Sequence, residues 1–400
     1  MDTFISEEFL RQIPKTDIHL HLDGSLRLPT LIDLARKQHV KLPSTTTEGL
    51  CRLVFKKHYA SLPQYLRGFA YTCSVMRDAE SLERIACELA EDNIAEGVRY
   101  IEVRFAPQLH MHEKLGLEQV LRAVSRGLER AQRGHNRSAA VCAGQDVPFH
   151  FGIIVCALRF FTPAMSAYYE GLFRVMSYAP PKQVFATAST ELARAAVRLA
   201  REQGLPIVGF DLAGAEAGYP ADDHRAAFQY CHSHFLKKTI HAGEAYGPES
   251  IFRAITDCYA NRIGHGTWLF ASDMIKDPSI TDREGYCHHL AEYIASQRIT
   301  LEVCLTSNSQ THPRMRNLLK HPLRQMLDHD LSISLCTDNR LVSHTTVTHE
   351  LMQAVQQLKM TPRELRNVVL AGFKGSFFPG TYREKRQFVR QVIDRYEALT

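Results

Sequence analysis

The chain has 400 residues, 45% of them hydrophobic and 23% charged, with 48 Lys plus Arg against 43 Asp plus Glu for a net charge of +5. That balance belongs to a folded protein with room for a large core and excludes the disordered and fibrous classes. The basic residues are spread over many segments rather than gathered with interleaved aromatics, so nucleic acid is not an expected partner. Ten cysteines occur without a single Cys-x-x-Cys pair, which reads as reduced thiols of a cytoplasmic protein. The start is acidic, with Asp2, Glu7 and Glu8, and no apolar run approaches the roughly 18 residues of a membrane span. A soluble protein without a membrane partner is expected, folded as one domain over residues 1–400.

Eight β-rich runs alternate with helical patterns. In chain order they are Thr16–Leu22, Arg99–Ala106, Phe149–Leu158, Pro206–Ala213, Leu236–Ala242, Arg262–Gly266, Arg298–Thr306 and Leu331–Thr337. Several are almost continuously apolar, as strands covered on both faces must be. Between them the helical period predicts Ser81–Glu96, Leu117–Arg133, Thr187–Gln203, Asp222–Phe235, Pro248–Tyr259, Gly285–Gln297 and Leu318–His329. Repeated β-α units of this number predict an α/β fold, a (β/α)8 TIM barrel. Two segments interrupt the repeat. Arg27–Arg77 is a helical insertion after the first strand in which Leu62, Tyr65, Leu66 and Phe69 recur at helical spacing; it reads as a helix on the barrel rim and as a candidate lid. Arg133–Pro148 is rich in small and polar residues and reads as a surface loop. After the eighth strand, Thr345–Leu358, Pro362–Gly372 and Tyr382–Leu399 supply extra C-terminal helices.

The chain holds 20 histidines, and their placement matters more than their number. The first strand ends His19-Leu-His21-Leu-Asp23-Gly24, and the strand period of two puts both imidazoles on the barrel interior, able to approach one ion. His110-Met-His112 and His232-Ser-His234 repeat the spacing, but one pair follows its strand in a loop and the other precedes a strand at the opposite face. Both of these pairs read as solvated or locally hydrogen-bonded. The fifth, sixth and eighth strands end at His241-Ala-Gly-Glu244, Gly264-His265-Gly266 and Thr337-Asp338-Asn339. Strand C-termini are where barrel enzymes carry their sites, so four strands deliver polar groups to one face.

These motifs, with Asp211-Leu-Ala-Gly214 after the fourth strand, resemble the adenosine deaminase family of the metal-dependent amidohydrolase superfamily, over about Lys15 to Arg340. The resemblance implies one Zn2+ held by His19, His21, His241 and Asp338. The absence of Lys from Val208–Ala213 argues against a second, bridged metal. It further implies Glu244 as proton donor to purine N1, His265 as base or electrostatic partner of the attacking hydroxide, the Gly214 N–H at N3, and Asp23 at the ribose 5′-hydroxyl. His21 would also border the substrate. The implied reaction is hydrolytic deamination of adenosine or 2′-deoxyadenosine to inosine or 2′-deoxyinosine. Adenine, a 5′-modified adenosine such as aminodeoxyfutalosine, an N6-methylated nucleotide, or a silent nucleoside-binding role are alternatives. Two departures stand out: Asn339 where a second aspartate is usual, its amide able to donate to N7, and Ala215 where an acidic residue commonly follows the glycine.

Overall fold

The computed structural model describes residues 5–60 and 62–400, without the side chains of Leu62 and Pro63. Eight strands, β1 (Lys15–His21), β2 (Val98–Phe105), β3 (His150–Leu158), β4 (Ile207–Ala213), β5 (Lys237–Ala242), β6 (Arg262–His265), β7 (Thr300–Val303) and β8 (Ile333–Leu335), pair in chain order. Every pairing is parallel. The ring closes just beyond β8, where the His21 N–H donates to the Asp338 carbonyl and the Asp338 N–H to the His19 carbonyl, both at 2.8 Å. The expected (β/α)8 barrel with an insertion after β1 and added C-terminal helices is thus the observed architecture.

The helices cover the barrel with their apolar faces. Their ends follow local chemistry: Asp78 caps the helix Ala79–Ala95, Gly204 ends Pro181–Gln203 in the left-handed conformation, and Thr361 and Thr381 form capping boxes with Glu364 and Glu384. The interior of the barrel is unusually charged. Arg104 on β2 donates to Glu302 on β7 at 2.8 Å and to Asp211 on β4 at 3.1 Å. Arg262 on β6 donates to Glu302 at 2.6 Å and to Glu102. All five groups are buried. Burial opposes ionisation of Glu302, but the two guanidiniums outweigh it and hold the carboxyl well below the usual carboxylate range. Such a network costs solvation to build, and removing one member strands the others, typically at about 3–5 kcal/mol.

Several boundaries differ from expectation for identifiable reasons. The seventh run does not extend to Thr306: Leu305–Thr311 is a helix, which turns Ser307 and Asn308 toward the mouth. Residues 133–148 are not wholly a loop, since the preceding helix runs to Asn136 and Ala139–Cys142 form a turn of helix capped by Ser138. The expected helix 318–329 is broken at Pro322, with a 3-10 turn at Leu318–Lys320 and a helix at Leu323–Asp328. The segment 222–235 opens as a 3-10 turn before the helix Arg225–Ser233. The insertion comprises three helices, Leu28–Lys37, Thr47–Leu53 and Leu62–Ser74. All ten cysteines are free, and seven are buried. No helix among the described residues is long and apolar enough to cross a membrane.

Candidate active site

The C-terminal ends of β1, β5 and β6 and the segment after β8 bring His19, His241, His265 and Asp338 together, with one donor atom from each lying within 4.8 Å of the others. His21 stands beside this group: its Nε2 is 3.2 Å from His241 Nε2 and 3.4 Å from Asp338 Oδ1. His19 Nε2 lies 3.6 Å from the same carboxylate oxygen. Glycine at 264 allows the convergence, because a Cβ there would sit 2.9 Å from His19 Cε1. His265 and Asp338 both have left-handed backbones, with φ of 65° and 60°. That conformation costs on the order of 1–3 kcal/mol in a non-glycine residue, and the paired main-chain bonds of Asp338 to β1 help to hold it.

The polar groups behind the histidines decide what each ring presents. His19 Nδ1 meets Glu302 at 2.8 Å and His241 Nδ1 meets Asp211 at 3.1 Å. A carboxylate accepts only, so each Nδ1 carries hydrogen and each Nε2 offers a lone pair to the centre. His19 Nε2 is buried with no hydrogen-bond partner. Unshared nitrogens and a carboxylate oxygen spaced 3.2–3.6 Å apart match the edge of a tetrahedron around an ion, roughly 3.4 Å for bonds near 2.1 Å. The residues present therefore fit a zinc ion. Ser307 donates to Asp338 Oδ2 at 2.6 Å, orienting the remaining oxygen.

His265 is oriented differently, and a backbone proton fixes how. The Leu323 N–H donates to His321 Nδ1 at 3.1 Å, so His321 carries its hydrogen on Nε2 and donates to Asn308 Oδ1 at 3.3 Å. The Asn308 amide nitrogen, 3.1 Å from His265 Nδ1, is then the donor of that pair. Neutral His265 must carry hydrogen on Nε2, the nitrogen facing Glu244 Oε1 at 3.9 Å. It is built as a donor toward the site, unlike His19 and His241. Burial also pushes the ring well below its usual pKa, favouring the neutral form.

Glu244 is buried, and that burial pushes its carboxyl up to about 8 against the opposing pull of His241. Its loop is held by Glu216, whose carboxylate accepts from the N–H groups of Gly243, Glu244, Ala245 and Tyr246 at 2.6–3.1 Å. Glu216, one position beyond Ala215, thus sets an acidic group against the β5 loop. Gly214 ends β4 with φ of 98°, a conformation that favours glycine. Asp23 is buried, its Oδ1 without a hydrogen-bond partner and 3.9 Å from His21 Nδ1. Asn339 donates from Nδ2 to the Tyr65 hydroxyl at 2.8 Å, and Tyr65 meets Ser343 at 2.9 Å. Tyr65 is therefore buried and latched to the segment after β8, while Leu66 and Phe69 are half-buried against the main core and the Leu62 side chain lies outside the described residues.

Two expectations on the other His-x-His pairs fare differently. His112 donates from Nε2 to the Arg77 carbonyl at 2.8 Å, and His234 donates from Nδ1 to the Tyr230 carbonyl of its own turn. His110 is not solvated: it is 3% exposed and neither ring nitrogen has a hydrogen-bond partner, because the insertion helix covers the loop that carries it. Glu302, Arg104, Asn308 and His321 carry no signature at the level of motifs, and Asp211, part of the motif after β4, shows its role behind His241 only in the fold. A signal for the first two existed, since charged residues inside the apolar runs Leu301–Val303 and Ile101–Phe105 need buried partners.

A family model described as adenosine deaminase matches residues 14–395. An adenosine deaminase of Mycobacterium leprae is 35% identical over 396 residues, covering 98% of each chain. Among solved structures, an N6-methyl-AMP deaminase from Arabidopsis thaliana superposes with a TM-score of 0.71 at 23% identity, over 97% of this chain and 98% of that one. A zinc-bound amidohydrolase from Burkholderia ambifaria gives 0.73 at 18% identity, over 99% and 95%. With the barrel, the converging histidines and a match over nearly the whole sequence, this chain belongs to the adenosine deaminase family, hydrolases that act on the amino group of a purine.

Proposed function

We propose that the chain is a zinc-dependent hydrolase that deaminates adenosine and 2′-deoxyadenosine to the corresponding inosines. The observation that carries this reading is the set of inward-facing donors of His19, His21, His241 and Asp338 beside a buried Glu244. Zinc is assigned to these four and not to His265, since the Asn308 and His321 chain leaves His265 a hydrogen, not a lone pair, on its inward nitrogen. One zinc held there would make an activated water available at neutral pH.

The protein's own groups do the rest. Glu244, protonated through burial, delivers its proton to N1, which lets the ring accept a nucleophile at C6. His265 donates from Nε2 to the attacking oxygen and so acts as an electrostatic partner, not as a base in its resting tautomer. The Gly214 N–H meets N3. One N–H of Asn339 serves Tyr65 and the other serves N7. Asp23 takes the sugar 5′-hydroxyl through its unpartnered oxygen. Burial pushes the Asp23 carboxyl up to about 7, so a 5′-phosphate would meet its ionised fraction and a pocket that strips its hydration; nucleotides are disfavoured here, although the Arabidopsis neighbour is named for a nucleotide substrate. The test is a turnover panel of adenosine, 2′-deoxyadenosine, adenine, AMP and N6-methyl-AMP, followed by loss of the 6-amino chromophore. The nucleosides should be preferred; a preference for AMP or for free adenine would overturn the substrate assignment.

A further inference from the structure

A second cluster of metal-binding side chains lies beyond Asp23. Asp23 after β1, Cys73 in the insertion helix Leu62–Ser74 and His110 after β2 each place a donor atom within 4.8 Å of the other two. Asp23 and His110 are buried, and Cys73 is half-buried. Asp23 Oδ1 and both nitrogens of His110 have no hydrogen-bond partner. Unpaired polar atoms at that depth are costly unless a ligand, ion or water satisfies them. The Met76 carbonyl faces the His110 ring, short of hydrogen-bond geometry, an arrangement that would orient a hydrogen on one nitrogen and a lone pair on the other.

We propose that Asp23, Cys73 and His110 form a second binding site for a thiophilic divalent cation such as zinc, at the sugar end of the substrate cavity. A carboxylate, a thiolate and a neutral imidazole are three donors suited to zinc, and the fourth position is left to water. Coordination at about 2.0–2.3 Å would draw the donors to roughly 3.5 Å apart, a closure of about an ångström within reach of side-chain rotation. The bound ion displaces the thiol proton, and carboxylate, thiolate and dication sum to zero charge. The consequence is a metal-operated brake. An ion there engages the carboxylate assigned to the 5′-hydroxyl and ties the insertion helix to the ends of β1 and β2.

Cobalt distinguishes this site from the first, because His19, His21, His241 and Asp338 include no sulfur. Cobalt titrated into the zinc-loaded enzyme should bind as a further equivalent with a near-ultraviolet sulfur-to-cobalt charge-transfer band. Cys73→Ser should abolish the band and weaken that equivalent at least tenfold, whereas Cys142→Ser, at the exposed thiol, should leave both unchanged. If Cys73→Ser fails to fold, His110→Gln serves instead: it keeps the thiol and should weaken the cobalt equivalent and its band together. Binding without the band, a band that survives Cys73→Ser or follows Cys142, or no further equivalent at millimolar cobalt would each overturn the proposal. This spectral readout does not depend on the substrate assignment. In turnover, added zinc should raise KM while leaving kcat unchanged, and an unaltered KM at saturating second-site metal would refute its placement beside the sugar.

Discussion

The pairs His19-x-His21 and His110-x-His112 share a spacing and a barrel, yet only one enters the central constellation. His19 and His21 are the last inward positions of β1, and His19 has a buried glutamate behind it at 2.8 Å. His110 and His112 follow the end of β2, past a 3-10 turn, where His110 is buried without a hydrogen-bond partner and His112 is turned outward to the Arg77 carbonyl. The difference teaches that spacing proposes a ligand pair, but strand direction and the carboxylate behind His19 deliver it to the centre of the barrel mouth. A carboxylate fixes the tautomer, and the strand fixes the direction.

The largest effect should come from breaking the first pair. His19→Ala or His241→Ala should abolish retention of the metal proposed at the central site and with it turnover, while His112→Ala should keep metal, activity and stability within about 0.5 kcal/mol; metal analysis of the three proteins decides. Next in size, Glu244→Gln should keep the metal but lose about 10²- to 10⁴-fold in kcat. The same residue sets a pH limb. Its carboxyl faces His241 from β5, His265 from β6, Asp338 beyond β8, and Glu216 and Arg159 at neighbouring strand ends. A raised carboxyl is protonated at low pH and ionises as pH climbs, so kcat should fall on the alkaline side through loss of the acid.

Smaller effects sharpen the role of the supporting groups. Ser307→Ala removes the bond that orients Asp338 and should weaken zinc about tenfold in a chelator competition, a typical value for a group one step from the ion. Asn339→Ala should cost about 0.5–1.5 kcal/mol in kcat/KM for adenosine and nothing for 7-deazaadenosine, which lacks the N7 acceptor. Equal loss for both substrates would instead tie Asn339 to its Tyr65 latch.

Strand number, order and the five motifs were legible because period two and glycine punctuation are local properties. The charged interior was not, since Arg104, Asp211 and Glu302 come from three strands about a hundred residues apart, and only closure of the ring shows who faces whom. The helix beginning at Leu305 was missed because Ile299–Leu305 reads as one apolar run, and what ends the strand at Val303 is the turn that places Ser307 under Asp338. The tautomer of His265 was likewise hidden: it depends on a chain of donors that starts at the amide of Leu323, 58 residues away in sequence.

The seam at Asp338 bears on how the protein comes into being. The residue that locks the last strand region to the first also supplies one side chain of the converging set, and its partners at His19 and His21 were synthesised more than 300 residues earlier. Contacts of such separation are among the slowest to form, because loop closure precedes any reward. On the ribosome, β1 must therefore wait with an incomplete donor set until nearly the whole chain has emerged. Competence for catalysis and completion of the barrel then arrive in the same event.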